Sequence, residues 1–302
     1  MDYSIVIPTY NRKLKLKRLL ESIYKNLNDF SEIIVVDDAS TDGTGPMIKE
    51  LFPDVRYIVH KEVCLVGKSR NDGIIASRCD LVLMIDDDNV VPDPSIEEII
   101  RYMEVHPEVG VVGPVTCYLS APNKVMYAGS IYSKFVRIAR FLYALHDYEE
   151  VKGKILDVDG IPNCSVIRRS LAFRVGLIDY PRYPFLGEDG ELIYKIKRLG
   201  YKVQVYGDSR TLHDVPLNPR PEERKSRNRP FRFYYAIRSK IFFLKDFESG
   251  VISSLGPFIV LFYYFGNIFL MSMSGSFSLK NFFALTSGLL DGLFGYTSLR
   301  YS

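Results

Sequence analysis

The nine residues Leu81-Val82-Leu83-Met84-Ile85-Asp86-Asp87-Asp88-Asn89 constrain this chain more than any other stretch. Five apolar residues in a row leave no face for water, which is the pattern of a strand buried on both sides of a parallel sheet. Three carboxylates follow where that strand ends. Open α/β sheets bind their ligands at that edge, beyond the carboxyl ends of the strands. Crowded carboxylates repel one another unless a cation lies between them. A hard divalent ion that bridges protein to phosphate oxygens accounts for such a cluster. An acidic surface turn is the alternative reading.

The surrounding pattern extends the sheet. The chain of 302 residues has room for one large α/β domain and an appendage. A buried strand runs from Ser4 into the turn Pro8-Thr9-Tyr10-Asn11, and a helix is expected over 13–28 with Leu16, Leu19, Leu20, Ile23 and Leu27 on one face. Strands are expected at 32–36, 55–60 and 109–112, and helices at 45–51, 67–77 and 94–106, the last with Asp93 as N-cap. This alternation predicts a doubly wound, mainly parallel sheet with right-handed crossovers. The first turn carries no G-x-G-x-x-G, so a nucleotide here would be gripped by side chains and metal rather than by a glycine loop. Farther on, short strands are expected within 157–168, a helix over 191–199 stopped by Gly200, and a strand over 202–206.

The net charge of +3 gives no argument for a nucleic-acid partner. The basic residues are unevenly spread, however. Arg220, Arg224, Lys225, Arg227, Arg229, Arg232 and Arg238 crowd together, interleaved with Phe231, Phe233, Tyr234 and Tyr235. Residues 249–279 then contain no charge, and Ile252 to Met273 is long enough to span a bilayer. Gly256, Pro257 and Gly266 interrupt it, as membrane helices allow. A second apolar stretch over 282–299, broken by Asp291, reads as a second span, a hairpin return or an interfacial helix. Burial in a soluble core is the alternative for both. A basic belt beside an apolar run faces the cytoplasmic leaflet, so the expectation is a cell-membrane protein with its soluble domain on the cytoplasmic side. The four cysteines form no CxxC pair, in keeping with a reducing compartment, and no signal peptide precedes the first strand.

Four motifs stand in a fixed order: Val6-Ile7-Pro8-Thr9-Tyr10-Asn11-Arg12, Val35-Val36-Asp37-Asp38-Ala39-Ser40-Thr41-Asp42-Gly43-Thr44, Asp86-Asp87-Asp88, and Gly187-Glu188-Asp189. In this order they resemble family 2 glycosyltransferases of GT-A fold. The resemblance covers residues 1–215, with a nucleotide-binding half (1–115) and an acceptor half (116–215). Beyond lie a basic-aromatic juxtamembrane segment (216–248) and membrane-associated helices (249–302). The tail, with Phe233-Tyr234-Tyr235-Ala236-Ile237-Arg238 and Gly288-Leu289-Leu290-Asp291-Gly292-Leu293, is similar to that of rhamnosyltransferase-like members.

The resemblance implies roles by motif position. Pro8, Thr9 and Tyr10 would line the base and ribose, and Asp38 would accept a hydrogen bond from the base, as a carboxylate suits an N–H donor. Arg70 or Lys68 would neutralise the diphosphate. Asp88 would bind Mn²⁺ or Mg²⁺, with Asp86 on the ribose or a metal-bound water and Asp87 sharing the task. Asp189 would be the general base, its proton affinity raised by burial and by Glu188. His213 would be a further metal ligand, better suited to Mn²⁺ than to Mg²⁺. Asn163, Cys164 and Ser165 would lie near the donor sugar. His60, His106 and His146 match nothing in the pattern and read as structural or exposed.

Each residue has a plainer reading: Asp38 as turn chemistry, Lys68 and Arg70 as solvated charges, and Glu188-Asp189 as a helix cap. The activity implied is inverting transfer of a sugar from a nucleoside-diphosphate donor to a hydroxyl, on a lipid-linked or surface-polysaccharide acceptor. A haloacid-dehalogenase-like phosphatase with Asp86 as nucleophile also fits Asp86-Asp87-Asp88-Asn89-Val90, though that motif belongs on a first strand. A non-catalytic membrane-bound family member is the third reading.

Overall fold

A computed structural model describes residues 2–133, 138–220, 229–248, 256, 258, 260, 262, 266 and 279–298. The buried runs of the sequence become the middle of one large sheet. In chain order the elements are β1 (Tyr3–Thr9), α1 (Lys13–Asn26), β2 (Glu32–Asp37), α2 (Thr44–Leu51), β3 (Arg56–Val59), α3 (Val66–Ala76), β4 (Leu81–Ile85), β5 (Asn89–Val90), α4 (Ser95–Val105) and β6 (Val109–Tyr118). Then come β7 (Ala121–Tyr127), β8 (Ser130–Tyr132), β9 (Ala139–Phe141), β10 (Ile155–Asp157), β11 (Cys164–Arg168), α5 (Arg169–Arg174), α6 (Glu188–Arg198), β12 (Lys202–His213), α7 (Pro230–Phe247) and α8 (Leu279–Phe294).

The strand order is β10-β12-β6-β11-β4-β1-β2-β3. Side chains alternate across each strand, so two apolar layers form. Ile5, Ile7, Ile33, Val35, Leu83 and Ile85 face α1 and α4, whose Leu16, Leu19, Leu20, Ile96, Ile99 and Ile100 cover them. Val6, Ile34, Val36, Val82 and Met84 face the other way, onto Ile74 of α3 and Leu192, Ile193 and Ile196 of α6. Residues of β1 and β4 are buried throughout, as the unbroken apolar runs require.

The nucleotide-side half, β3-β2-β1-β4, is parallel as expected. The expected continuation to the strand at Val109 is not: β11 lies between β4 and β6 and runs antiparallel to both. The sheet is therefore mixed. The helix expected over 191–199 starts one turn earlier, at Glu188, because Gly187 has φ of 119° and its carbonyl accepts from Glu191 N at 2.9 Å. The first turn of α6 thus contains both acids of the Gly187-Glu188-Asp189 motif. Gly200, with φ of 95°, takes the left-handed position that ends this helix. The strand expected over 202–206 continues past a bulge near Tyr206 and Arg210 to His213, which pairs with Asn89 of β5.

α7 and α8 pack on each other and on the sheet domain. Phe242 and Phe243 of α7 belong to the main apolar layer, and Ile237, Ile241, Leu244 and Leu285 join the two helices. Asp291 breaks the apolar face of α8 without cost because Tyr234 donates to it at 2.6 Å. No helix among the described residues is long and apolar enough to cross a membrane. The run expected as a span, 252–273, falls outside the described residues except at 256, 258, 260, 262 and 266.

Candidate active site

β1 has β2 on one side and β4 on the other, so the winding direction reverses between β1 and β4. A crevice opens beyond the carboxyl ends of two such strands. Thr9, at the end of β1, closes its floor by donating to Asp87 at 2.8 Å. The three acids after β4 then diverge. Asp86 accepts from Arg70 Nη2 at 2.6 Å. Asp87 and Asp88 share Arg12, whose Nη1 is 2.9 Å from each. The second oxygen of Asp88 meets Nε2 of His213 at 3.1 Å, where the extended β12 delivers the ring.

Arg70, buried on α3, also donates from Nη1 to Glu188 Oε1 at 2.7 Å and lies 3.9 Å from Asp189. One guanidinium therefore joins the β4 acids to the first turn of α6. Arg70 was expected at a diphosphate; here it is committed to two carboxylates. Lys68 is paired with Asp72 at 2.6 Å. Asn163 O accepts from Asp86 N at 3.0 Å, and the Asn163 amide pairs with that of Asn89.

These surroundings set the proton affinities. Burial raises Asp86 above its usual range in spite of Arg70. Burial pushes Asp87 up to about 6, with Arg12 pulling the other way. Burial acts on Asp88 too, but the hydrogen bond from His213 and the charges of His213, Arg12 and Lys15 outweigh it and hold the carboxyl at about 2. Burial, aided by the charge on Asp189, lifts Glu188 to about 7 against Arg70. Asp189 keeps more contact with solvent, and its Oδ1 accepts only from the adjacent Gly190 N.

Asp88 and His213 fit a divalent ion. A carboxylate oxygen and an imidazole nitrogen converge on one point, a donor set that suits Mn²⁺. The expected third ligand, Asp86, faces Arg70 instead. Among the described residues, the one set of three acidic, His or Cys groups whose ligand atoms lie within 4.8 Å of each other is Asp38, His60 and Cys64.

Asp38 sits at the end of β2, buried and already well served: it accepts from Cys64 N, Leu65 N and His60 Nδ1, each at 2.8 Å. His60 reaches Asp72 with its other nitrogen, also at 2.8 Å. Pro8 lies within β1, and Tyr10 is exposed at the crevice mouth. Sequence reasoning missed two residues of this site. His60 read as structural or exposed, and its spacing from Asp38 and Asp72 gave no signal. Arg12 stood in the quoted motif without a role; a lone cation opposite three unpaired acids was the available clue.

A profile of the family described as Glycosyl transferase family 2 matches residues 4–175. The chain belongs to this family. It is 31% identical over 115 residues to an uncharacterized glycosyltransferase of Haemophilus influenzae, covering 38% of this chain and 39% of that protein. It is 21% identical over 264 residues to the O-antigen chain rhamnosyltransferase RfbN of Salmonella typhimurium, covering 86% and 74%. Across the first curated relatives it matches, the aligned stretch takes in only 28% to 39% of their length. Among solved structures, the mannosyltransferase PcManGT from Pyrobaculum calidifontis, in complex with GDP-Man and Mn²⁺, superposes with a TM-score of 0.57 at 19% identity, covering 98% of this chain and 76% of that one. That likeness establishes a shared fold. For this family 2 chain, Asp86 is ion-paired and follows the fourth strand, which removes the basis for a phosphatase nucleophile.

Proposed function

We propose that the protein transfers a sugar from a nucleoside-diphosphate donor to an acceptor hydroxyl, with inversion at the anomeric carbon. The observation that carries this reading is the Arg70 bridge. It holds the acids after β4 and the acids of α6 on either side of one crevice. The donor diphosphate would lie on the β4 side and the acceptor on the α6 side. Asp189 is the better base of the pair, since it is open to solvent while Glu188 is buried against Arg70. The acceptor oxygen attacks as its proton passes to Asp189, and the nucleoside diphosphate leaves from the opposite face. Pro8, Thr9, Tyr10 and Asp38 frame the place for the base.

Asp88 and His213 would hold Mn²⁺ or Mg²⁺, which supplies positive charge for the leaving diphosphate. The complex of PcManGT with GDP-Man and Mn²⁺ supports this choice of donor class and ion. The acceptor is a lipid-linked or surface polysaccharide presented at the membrane, with the catalytic domain on the cytoplasmic side. The uncharged run 249–279, the basic belt before it and the likeness to an O-antigen rhamnosyltransferase support that placement.

Calorimetry with UDP-, GDP- and dTDP-sugars, with Mn²⁺ and then with EDTA, tests the proposal. One nucleotide should bind tightly and be lost with EDTA. Asp88→Asn should abolish that binding, while Asp189→Asn should bind donor and fail to turn over. Binding of no nucleotide under either condition would overturn the reading.

A further inference from the structure

The loop that delivers Glu188 and Asp189 does not hold its own shape. Leu186 and Gly187 stand in succession at φ of 56° and 119°, in the left-handed region. A side chain on Leu186 is costly there, so outside contacts must keep the kink. α3 supplies one set. Gly67 N donates to Pro184 O at 2.9 Å, and Asn71 exchanges two hydrogen bonds with the backbone of Ile178.

α7 supplies the other. Arg238 Nη2 donates to Pro181 O at 3.1 Å and Ser239 Oγ to Phe185 O at 3.3 Å. Asp246 accepts from the Tyr183 hydroxyl at 2.7 Å and pairs with Arg182 at 2.6 Å. Arg238 is 0% exposed, and its guanidinium lies 4.9 to 5.8 Å from the ring centres of Tyr234, Tyr235 and Phe242. Burying a charge is expensive unless rings and carbonyls replace its water. That cost makes sense when the charge has a task, and its donors here point at the loop.

We propose that α7 is the positioning arm of the catalytic loop. Arg238, with Ser239 and Asp246, holds residues 181–187 so that Asp189 faces the acceptor. The inference rests on the reading of Asp189 as the base. It makes the chain beyond the glycosyltransferase motifs part of the active site.

The test uses the full chain with Arg238→Gln, Arg238→Lys and the milder Asp246→Ala and Ser239→Ala. Two readouts are needed: steady-state kinetics and hydrogen exchange over residues 181–190. Arg238→Gln and Asp246→Ala should lower kcat by about 10- to 100-fold, as small misplacements of a base do, with donor KM nearly unchanged. Exchange should quicken over 181–190 and stay as in the wild type over β1 and β4. Arg238→Lys should recover part of kcat, and Ser239→Ala should show a smaller effect of the same kind. Wild-type kcat in Asp246→Ala, or exchange that rises equally in β1 and β4, would overturn the proposal. If the wild type binds no donor, the transferase reading fails, while the exchange data still decide whether α7 holds the loop.

Discussion

Arg70 and Glu188 lie 2.7 Å apart with their side chains almost out of reach of water, and the same guanidinium holds Asp86 at 2.6 Å. Removing the cation would strand two buried carboxylates beside Asp189. Breaking a buried ion pair from one side costs about 3–5 kcal/mol, more than the pair itself contributes. Arg70→Met should therefore lower folding stability by an amount of that order in urea unfolding. A variant as stable as the wild type would mean that the two acids take up protons or shift apart, and the bridge would lose its structural role.

The same burial gives Glu188 a sign that can be read in stability. Its carboxyl is raised from 4.5 to about 7 in the folded protein. Between those pH values the unfolded chain has released a proton that the folded protein still binds, so stability falls as pH rises through this window. Asp87, raised to about 6, acts in the same direction; Asp88, held at about 2, gives stability that is lost only on strong acidification. Glu188→Gln should flatten the decline between pH 4.5 and 7 without abolishing it. Melting temperatures across that range decide the matter: an unchanged slope would show that Glu188 is not the group responsible.

The parts legible in the sequence were those written in consecutive residues. The buried run before Asp86, the alternating strands and helices, and the stop at Gly200 all declare themselves within a few positions. Direction and long-range pairing do not. Cys164–Arg168 is a short apolar run, and nothing in such a run says whether it will lie parallel or antiparallel to β4. Arg12 finds Asp87 across 75 positions, and Arg70 finds Glu188 across 118. The aromatic and basic residues of α7 read as a membrane-surface belt because that composition fits one. Their burial around Arg238 depends on contacts with a loop some 55 residues away.

Gly67 is needed for the approach of α3 to the catalytic loop. A Cβ at this position would lie 2.5 Å from the Tyr183 carbonyl oxygen and 3.3 Å from Pro184. These are backbone atoms, which cannot rotate aside, so Gly67→Ala must push the loop and its hydrogen bond to Gly67 N apart. Overpacking of this kind costs about 1–3 kcal/mol. Turnover should fall together with thermal stability, while the donor affinity seen by calorimetry stays close to that of the wild type. Full activity in Gly67→Ala would show that the loop moves without consequence for Glu188 and Asp189.

Arg12 stands where a metal ion would otherwise be called for. Its Nη1 is 2.9 Å from both Asp87 and Asp88, so it neutralises the two acids nearest His213. Lys15 lies farther from Asp88, at 3.9 Å, and pairs also with Asp214. A positive group that close disfavours a second cation, and without it the repulsion between Asp87 and Asp88 would itself favour one. Arg12→Met should therefore bind Mn²⁺ more tightly in the absence of nucleotide, by about ten-fold, which corresponds to one unit of proton affinity on a neighbouring carboxyl. Electron paramagnetic resonance of free Mn²⁺ gives the constant directly. Adding His213→Ala to the same background should reverse the gain, since the imidazole is the partner that Asp88 retains. Equal Mn²⁺ affinity in Arg12→Met and wild type would mean that the ion is held away from Asp87 and Asp88, and the assignment of Asp88 as its ligand would fall with it.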